Sequence, residues 1–376
     1  MKTKIFEINN SGPQTTIQDL GRYGFQNIGV PVSGPMDPFS FKMANILLNN
    51  PVNFACLETT FLGPSLSALD DAIISITGAE STVKINDQPI KLWQPVKISK
   101  GDIISFESIH RGTINYIGIQ GGFECPLIMN SRSTYLTGQF GGQNGRILEK
   151  GDVLYKGVSP NNEFIETSFP TGFNFVIPSN PLEVRILITN SMNKFSRESL
   201  AQLWESTYSI SPKSNRIGYR LNGPKIDHAG GADIISSGTE FGAIQIPGDG
   251  QPIILMADRG TTGGYSKIGS VITPDISKLA QAAPNNKINF RPVSLHEAHQ
   301  ISFKYERVMK SLASTVSGLD NNIRVIYDNK DFEIHKVSGG EITDPNKIKE
   351  HSDIESQKYS VEYNGETYSL AIETYR

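Results

Sequence analysis

Apolar residues in this chain come in short runs closed off by glycine, proline and small polar residues, a rhythm that suits strands and turns better than regular helices. Segments 72–79 (AIISITGA), 82–85, 96–99, 103–106 and 114–120 each have strand length, and Asn-Asp, Lys-Gly-Asp and Arg-Gly sequences separate them as turns. That spacing predicts a barrel or a sandwich. Helices are fewer. Asp37 followed by Pro38 supplies an N-cap and a first helical residue, and the run to Asn49-Asn50 ahead of Pro51 places Phe41, Ala44 and Leu48 on one face. Further on, 183–189 reads as a strand, and 196–206 as a helix with Leu200, Leu203 and Trp204 inward. Ser294 and Glu297 form a capping box that opens a helix to Leu312.

The polar, proline-containing stretch 159–180 has weak periodicity and predicts the junction of two halves. A chain of 376 residues with 38% hydrophobic content exceeds what one core usually holds. The expected organisation is mainly β: residues 1–170 and 171–320 as two β domains with a few short helices, and 321–376 as a small C-terminal β extension. In that extension 323–327 and 332–335 flank Asp328-Asn329-Lys330, and 360–373 alternates around Asn364-Gly365, a strong hairpin signal. Lys100-Gly101-Asp102 and Lys150-Gly151-Asp152 echo one another, which is too little for a repeat protein.

The formal net charge of −3 and the absence of basic blocks exclude an evident nucleic-acid footprint. Cys56 and Cys125 are far apart and in no paired spacing, so no disulfide framework or zinc ribbon is expected. No apolar stretch reaches membrane-spanning length, and a soluble, cytoplasmic protein is expected.

Candidate chemistry concentrates in residues 15–37, where small turn residues surround Gln18, Asp19, Arg22, Ser33 and Asp37 and let a small polar ligand approach closely. The competing reading is a rigid loop in which Asp19 pairs with Arg22 and Asp37 caps its helix. For Asp37 alone the cap is favoured. Arg22, Arg132, Arg216 and Arg220 sit beside glycine, serine or tyrosine and suit a clamp for carboxylate or phosphate, or else are surface arginines paired with acids. Residues 261–267, Thr-Thr-Gly-Gly-Tyr-Ser-Lys, fit either an anion nest with Lys267 as counter-charge or a tight turn. No P-loop and no nucleophile elbow occurs. His296 and His299 lie three apart, not four as in zinc peptidases, and Cys56 beside Leu57 reads as a buried small residue.

TTIQDLGR (15–22), GVPVSGPMD (29–37) and Leu57-Glu58-Thr59-Thr60 with Gly63-Pro64 resemble the N-terminal signature of the family that holds the C component of 5-oxoprolinase and allophanate hydrolase subunit 2, also described as KipI antagonist or biotin-dependent carboxyltransferase-like. Residues 211–221 resemble its serine-x-arginine-x-glycine-tyrosine-arginine-leucine block. GAIQIP (242–247) with Gly250-Gln251-Pro252, and DRGTTGGY (258–265), resemble its C-terminal motifs. The resemblance covers residues 15–290 and departs at Thr189-Asn190-Ser191-Met192, where the family usually carries glycine-proline-glutamine.

The resemblance implies two cyclophilin-like β-barrels. It also implies a component that works with a KipI-like B-type partner and a LamB/YcsF-like A-type partner to open 5-oxoproline to glutamate, using ATP and Mg2+. Within the matched motifs, Asp19, Arg22, Glu58, Arg216 and Arg220 are the expected catalytic residues. Thr262, Gly263, Gly264 and Lys267 are expected at the cofactor, and Ser33, Asp37, Tyr219, Gln245 and Tyr265 at the substrate. Asp19 and Glu58 are expected to handle a metal or a proton, with the metal ligands otherwise left open. Two other activities fall within the resemblance: the carboxyltransferase component of a urea-carboxylase-type enzyme, and an antagonist that binds a KipI-like partner. Biotin is not attached to this chain, since the nearest approach to a biotinyl-lysine motif, Val308-Met309-Lys310-Ser311, falls in the helix opened by Ser294.

Overall fold

The computed structural model describes residues 2–159, 167–168, 177–188, 193–316, 322–327, 330–336, 354–363 and 366–375. The segments expected at 72–79 and 82–85 are one strand, Ala72–Ile85, and those at 103–106 and 114–120 merge into Ile103–Ile119. The two pair antiparallel along most of their length. Register shifts between Gly78 and Glu80, Glu80 and Ser81, and Thr82 and Val83 absorb the interruptions. Arg111-Gly112, expected as a turn, is therefore a kink inside a strand: bulged residues bend and twist a ladder without ending it. Gly112 holds φ +88°, and a Cβ there would lie 2.9 Å from that of Ala79 and 2.8 Å from Gln281 Oε1.

The first sheet runs Gln14–Gln18, Cys56–Thr60, Ile103–Ile119, Ser65–Ala68, Thr3–Asn10, Val153–Lys156, Phe123–Glu124, with Ala72–Ile85 also on Ile103–Ile119. The two Lys-Gly-Asp echoes are the same device used twice. Asp102 Oδ2 accepts the Ser99 N–H at 2.7 Å and Asp152 Oδ2 the Glu149 N–H at 2.8 Å. Each following glycine turn hands the chain back to a neighbouring strand through Ala68 or Ile8.

The second sheet closes on itself. Leu182–Ile188 pairs parallel with Lys287–Val293, and the order continues through Thr207–Ile210, Gly218–Asn222, Ile253–Leu255 and Ala243–Ile246 to Thr262–Val271, which pairs back to Leu182–Ile188. The architecture is mainly β, with two closed or nearly closed barrels and few helices, as expected. The junction expected at 170/171 and the departure at 189–192 lie outside the described residues.

Helix α1, Pro38–Leu47, begins as the sequence predicts, with Asp37 accepting the Ser40 N–H at 3.0 Å. Its burial is not one-sided: Phe39–Phe41 and Met43–Leu47 are all buried. On one side Ser75 and Thr77 of the first barrel donate hydroxyls to the Ala44 and Ser40 carbonyls, each at 2.7 Å. On the other, Phe39, Met43 and Ile46 cluster with Tyr305, Val308, Met309 and Leu312 of the helix Leu295–Val316. Helix α2 is Arg197–Glu205, with Leu200 and Leu203 buried; α3 is Thr273–Ala280; α4 is Leu295–Val316, capped by Ser294 Oγ on the Glu297 N–H at 3.1 Å. Helix α3 was not expected, although Pro274 and Asp275 in its first turn are start signals.

One apolar cluster runs through both barrels, joining Met36, Phe41, Ile114 and Tyr116 to Val184, Ile186, Ile244, Ile254 and Leu279. Asn322–Tyr327 and Lys330–Lys336 form an antiparallel pair that joins Thr167–Ser168 in a small sheet. These strands belong to the compact unit Met1–Val337. A second unit, Ser338–Arg376, contains the hairpin of Ile354–Tyr363 with Glu366–Tyr375, whose turn at 364–365 lies outside the described residues. Among the described residues no helix is long and apolar enough to cross a membrane.

Candidate functional site

The seam between the barrels carries a buried ionic network. Glu58 and Tyr116 face each other across paired strands, so the Tyr116 hydroxyl donates to Glu58 Oε2 at 2.6 Å, and the Met36 N–H reaches the same oxygen at 2.9 Å. From the second barrel, Arg216 enters beside Asp258. The Asp258 N–H donates to the Arg216 carbonyl at 2.8 Å, and that backbone pairing sets the side chains for a two-point contact, Nε to Oδ2 at 2.8 Å and Nη2 to Oδ1 at 3.1 Å. Arg216 Nη1 donates to Glu58 Oε1, and Nη2 also donates to the Gly34 carbonyl at 2.7 Å. Burial opposes the charge on Arg216, but Asp258 and Glu58 outweigh it and hold the guanidinium protonated. Burial, with Glu58 and Asp37 adding to it, keeps the Tyr116 phenol neutral.

Alongside runs a hydrogen-bonded lock. Gln281, at the end of α3, donates to Asp37 Oδ2 at 2.8 Å and to the Ile114 carbonyl at 2.9 Å, and accepts from the Thr113 and Ile114 N–H groups at 2.9 and 3.0 Å. Asp37 is thus an N-cap and a seam residue together. Burial raises its carboxyl above the ordinary range, and its bonds from Gln281 and Ser40 pull the other way. Tyr219, also buried, donates to the Ala280 carbonyl at 3.0 Å.

Asp19 and Arg22 share a neighbourhood, and each has a different employment. The Asp19 carboxylate accepts from Gly21 N (2.9 Å), the Ser131 and Ser133 hydroxyls (both 2.6 Å) and Arg132 N (2.5 Å), fixing the loop 131–133 on its own. Arg22, 1% exposed, donates from Nη2 to the Ser133 carbonyl and lies 4.8 Å over the Phe140 ring, while its Nε and Nη1 have no partner. Desolvation lowers its pKa, and the charges of Asp19 and Asp258 act against that. Gly141 is required here: at φ +75°, a Cβ would collide with the Ser133 oxygen and fall 2.7 Å from Arg22 Nη2. Ser33 is buried at φ +58°, a left-handed conformation costly for a residue with a side chain, and its hydroxyl is also unpartnered.

Other expected residues do not join this group. Arg220 is exposed on Gly218–Asn222, whose burial alternates. Thr262–Gly264 lie in the strand Thr262–Val271, paired with Asp233–Gly238; a pleated backbone points successive N–H groups to opposite sides, so the expected anion nest does not form. Lys267 turns to the Gly238 carbonyl at 2.7 Å and to Glu240 at 3.2 Å. Tyr265 is 41% exposed, and Gln245 is buried with its Nε2 unpartnered against Gly263. Arg132 pairs with Glu124 at 2.6 Å, while its Nε is buried without a partner. Asp258, Tyr116 and Gln281 belong to the seam although sequence reasoning did not single them out. Asp258 opens the DRGTTGGY motif, the one signal that pointed to it. Among the described residues no group of three or more His, Cys, Asp or Glu could hold a metal ion.

Residues 28–292 match the family described as carboxyltransferase domain, subdomain A and B. The chain is 34% identical over 302 residues to the C component of the Haemophilus influenzae 5-oxoprolinase, covering 80% of this chain and 96% of that protein. It is 31% identical over 309 residues to that of Escherichia coli K12, covering 82% and 98%. The urea amidolyase of Saccharomyces cerevisiae is 33% identical over 325 residues, which is 82% of this chain and 18% of that protein. Among solved structures, the urea carboxylase of Kluyveromyces lactis superposes with a TM-score of 0.78 at 31% identity, over 83% of this chain and 29% of that one. By a match over residues 28–292, which takes in every residue of the seam network, the chain belongs to the carboxyltransferase domain, subdomain A and B, family.

Proposed function

We propose that this chain is the C component of an ATP-dependent 5-oxoprolinase, which opens 5-oxoproline to glutamate together with a KipI-like B-type partner and a LamB/YcsF-like A-type partner. The observation that carries the reading is extent: the match spans 96% and 98% of two proteins named as this component of 5-oxoprolinase, against 18% of a urea amidolyase.

The substrate of that reaction is a five-membered lactam bearing a carboxylate. Its carbonyl is a weak electrophile, and opening it requires activation at oxygen with the developing charge met by preorganised donors. Arg216 contributes as a positioning residue. Each of its nitrogens is engaged, so its role is to fix Glu58, Asp258 and the 33–37 loop in one arrangement across the seam. Among the described residues, the buried donors left without a partner are those of Arg22, Ser33, Arg132 and Gln245. ATP would supply the activation of the carbonyl oxygen in the complex. The strand at 262–267 does not fit its phosphates and no acidic cluster among the described residues fits Mg2+, so no step through either is derived for this chain.

Phosphate release from ATP tests the reading, measured for this protein with and without its B- and A-type partners and with 5-oxoproline, urea or no substrate. Turnover that needs the partners and responds to 5-oxoproline supports it. Urea-dependent turnover that appears only when a biotin carboxylase and a biotinylated carrier are added, and is blocked by avidin, favours the second reading, a carboxyltransferase component served by a separate biotin carrier, which the superposition on the urea carboxylase supports. Tight binding of the B-type partner with no substrate response leaves the antagonist role.

A further inference from the structure

Arg22 is a fully buried site arginine with two guanidinium nitrogens that have no partner among the described residues. The Asp19 charge acts on Arg22, but the Asp19 oxygens bond Gly21 N, Ser131, Ser133 and Arg132 N, not the Arg22 nitrogens. Asp258 also feels Arg22, and both its oxygens are on Arg216. What holds the Arg22 head, a single carbonyl and the face of Phe140, leaves Nε and Nη1 bare at 1% exposure. A buried cation so placed is costly unless an acceptor arrives.

The backbone around Ser33 lies beside that of Arg22. The Arg22 N–H donates to the Val32 carbonyl at 2.8 Å, and the next carbonyl but one, that of Gly34, takes Arg216, so residue 33 stands between the two arginines. Its hydroxyl is buried and unpartnered, on a backbone strained at φ +58° with no side-chain hydrogen bond to account for the strain.

We infer that Arg22 and Ser33 recognise the carboxylate of the cyclic amide, so that anionic lactams are selected over neutral amides. The inference rests on the 5-oxoprolinase reading and assigns its charge selectivity. A neutral amide such as urea would offer one acceptor and no charge, whereas a carboxylate supplies a charge and two acceptor oxygens for the bare nitrogens. Phe140, Ser133 and Gly141 serve to hold the guanidinium in place.

The test compares 5-oxoproline with 5-oxoprolinamide, its neutral analogue, as substrate or competitor in the reconstituted complex. Arg22→Gln is expected to lower kcat/KM for 5-oxoproline by about tenfold or more, with the handling of the amide changed less than about twofold. Equal losses for both, or no loss, overturn the inference, because a merely structural role moves the two together. Should Arg22→Gln not fold, by thermal melting, Ser33→Ala decides on the same ratio, with a smaller change expected and none overturning the proposal. A wild-type complex that ignores 5-oxoproline sinks the underlying reading, a result distinct from an unchanged ratio in an active one.

Discussion

Arg216 and Glu58 meet across the two barrels, the guanidinium Nη1 on one carboxylate oxygen while the other takes the Tyr116 hydroxyl at 2.6 Å. Neither charge faces water, so the attraction between them operates at low dielectric and against a large desolvation cost. The arrangement is stable only when complete.

Arg216→Met removes one partner and leaves Glu58 and Asp258 buried without a cation. The expected loss is about 3–5 kcal/mol of unfolding free energy, read from urea denaturation at neutral pH. A loss below about 1 kcal/mol would mean that the network is solvated.

Gln281→Leu should cost about 1–3 kcal/mol, since it strips acceptors from the Thr113 and Ile114 amides and a donor from Asp37. Gln281→Glu should be worse, because a second carboxylate then faces Asp37. A Gln281→Glu variant as stable as wild type would show that the amide hydrogens do not matter.

The Asp152 carboxyl is held below the ordinary range by its hydrogen bond from Arg146, with bonds at 2.7 and 2.8 Å. The unfolded chain takes up that proton near pH ~3.9, and the folded chain only at lower pH. The contribution is therefore full above the ordinary value and disappears as the pH falls through the depressed one. Melting curves from pH 7 to pH 3 should show Asp152→Asn less stable at neutrality, with the gap to wild type narrowing as the pH falls. Parallel curves would contradict the assignment.

Both thiols should be silent. Burial pushes Cys56 far up, and burial pushes Cys125 up to about 12, so iodoacetamide at pH 8 should label neither in the native protein and both after denaturation. Native labelling of Cys56 would require the first barrel to open.

Much of the fold was legible because its signals are local. Asp37-Pro38 starts a helix whatever surrounds it, and Ser294 with Glu297 does the same for α4. Arg111-Gly112 misled because a glycine with positive φ serves a bulge as well as a turn, and only the opposing strand, here at Gly78–Glu80, decides between them. At the site, Glu58, Arg22, Arg216 and Ser33 were found through matched motifs. Their division of labour was not, because it depends on which guanidinium nitrogens are already spent. Residue type cannot show that Arg216 is saturated by Asp258, which lies 42 residues further along the chain, while Arg22 is not. Gln281 was invisible for the same reason: an amide 167 residues from Ile114 leaves no periodic trace.

The lock made by Gln281 bears on how this gene can be cut and rejoined. A fragment ending near residue 159 would keep the Thr113 and Ile114 amides and Asp37 but lose what answers them, and would bare Met36, Phe41 and Tyr116. A fragment beginning there would carry an Arg216 stripped of Glu58. The two barrels are thus one heritable piece: recombination that trades one half for that of a distant relative must carry Glu58, Asp37, Arg216 and Gln281 as a set, or deliver an insoluble product.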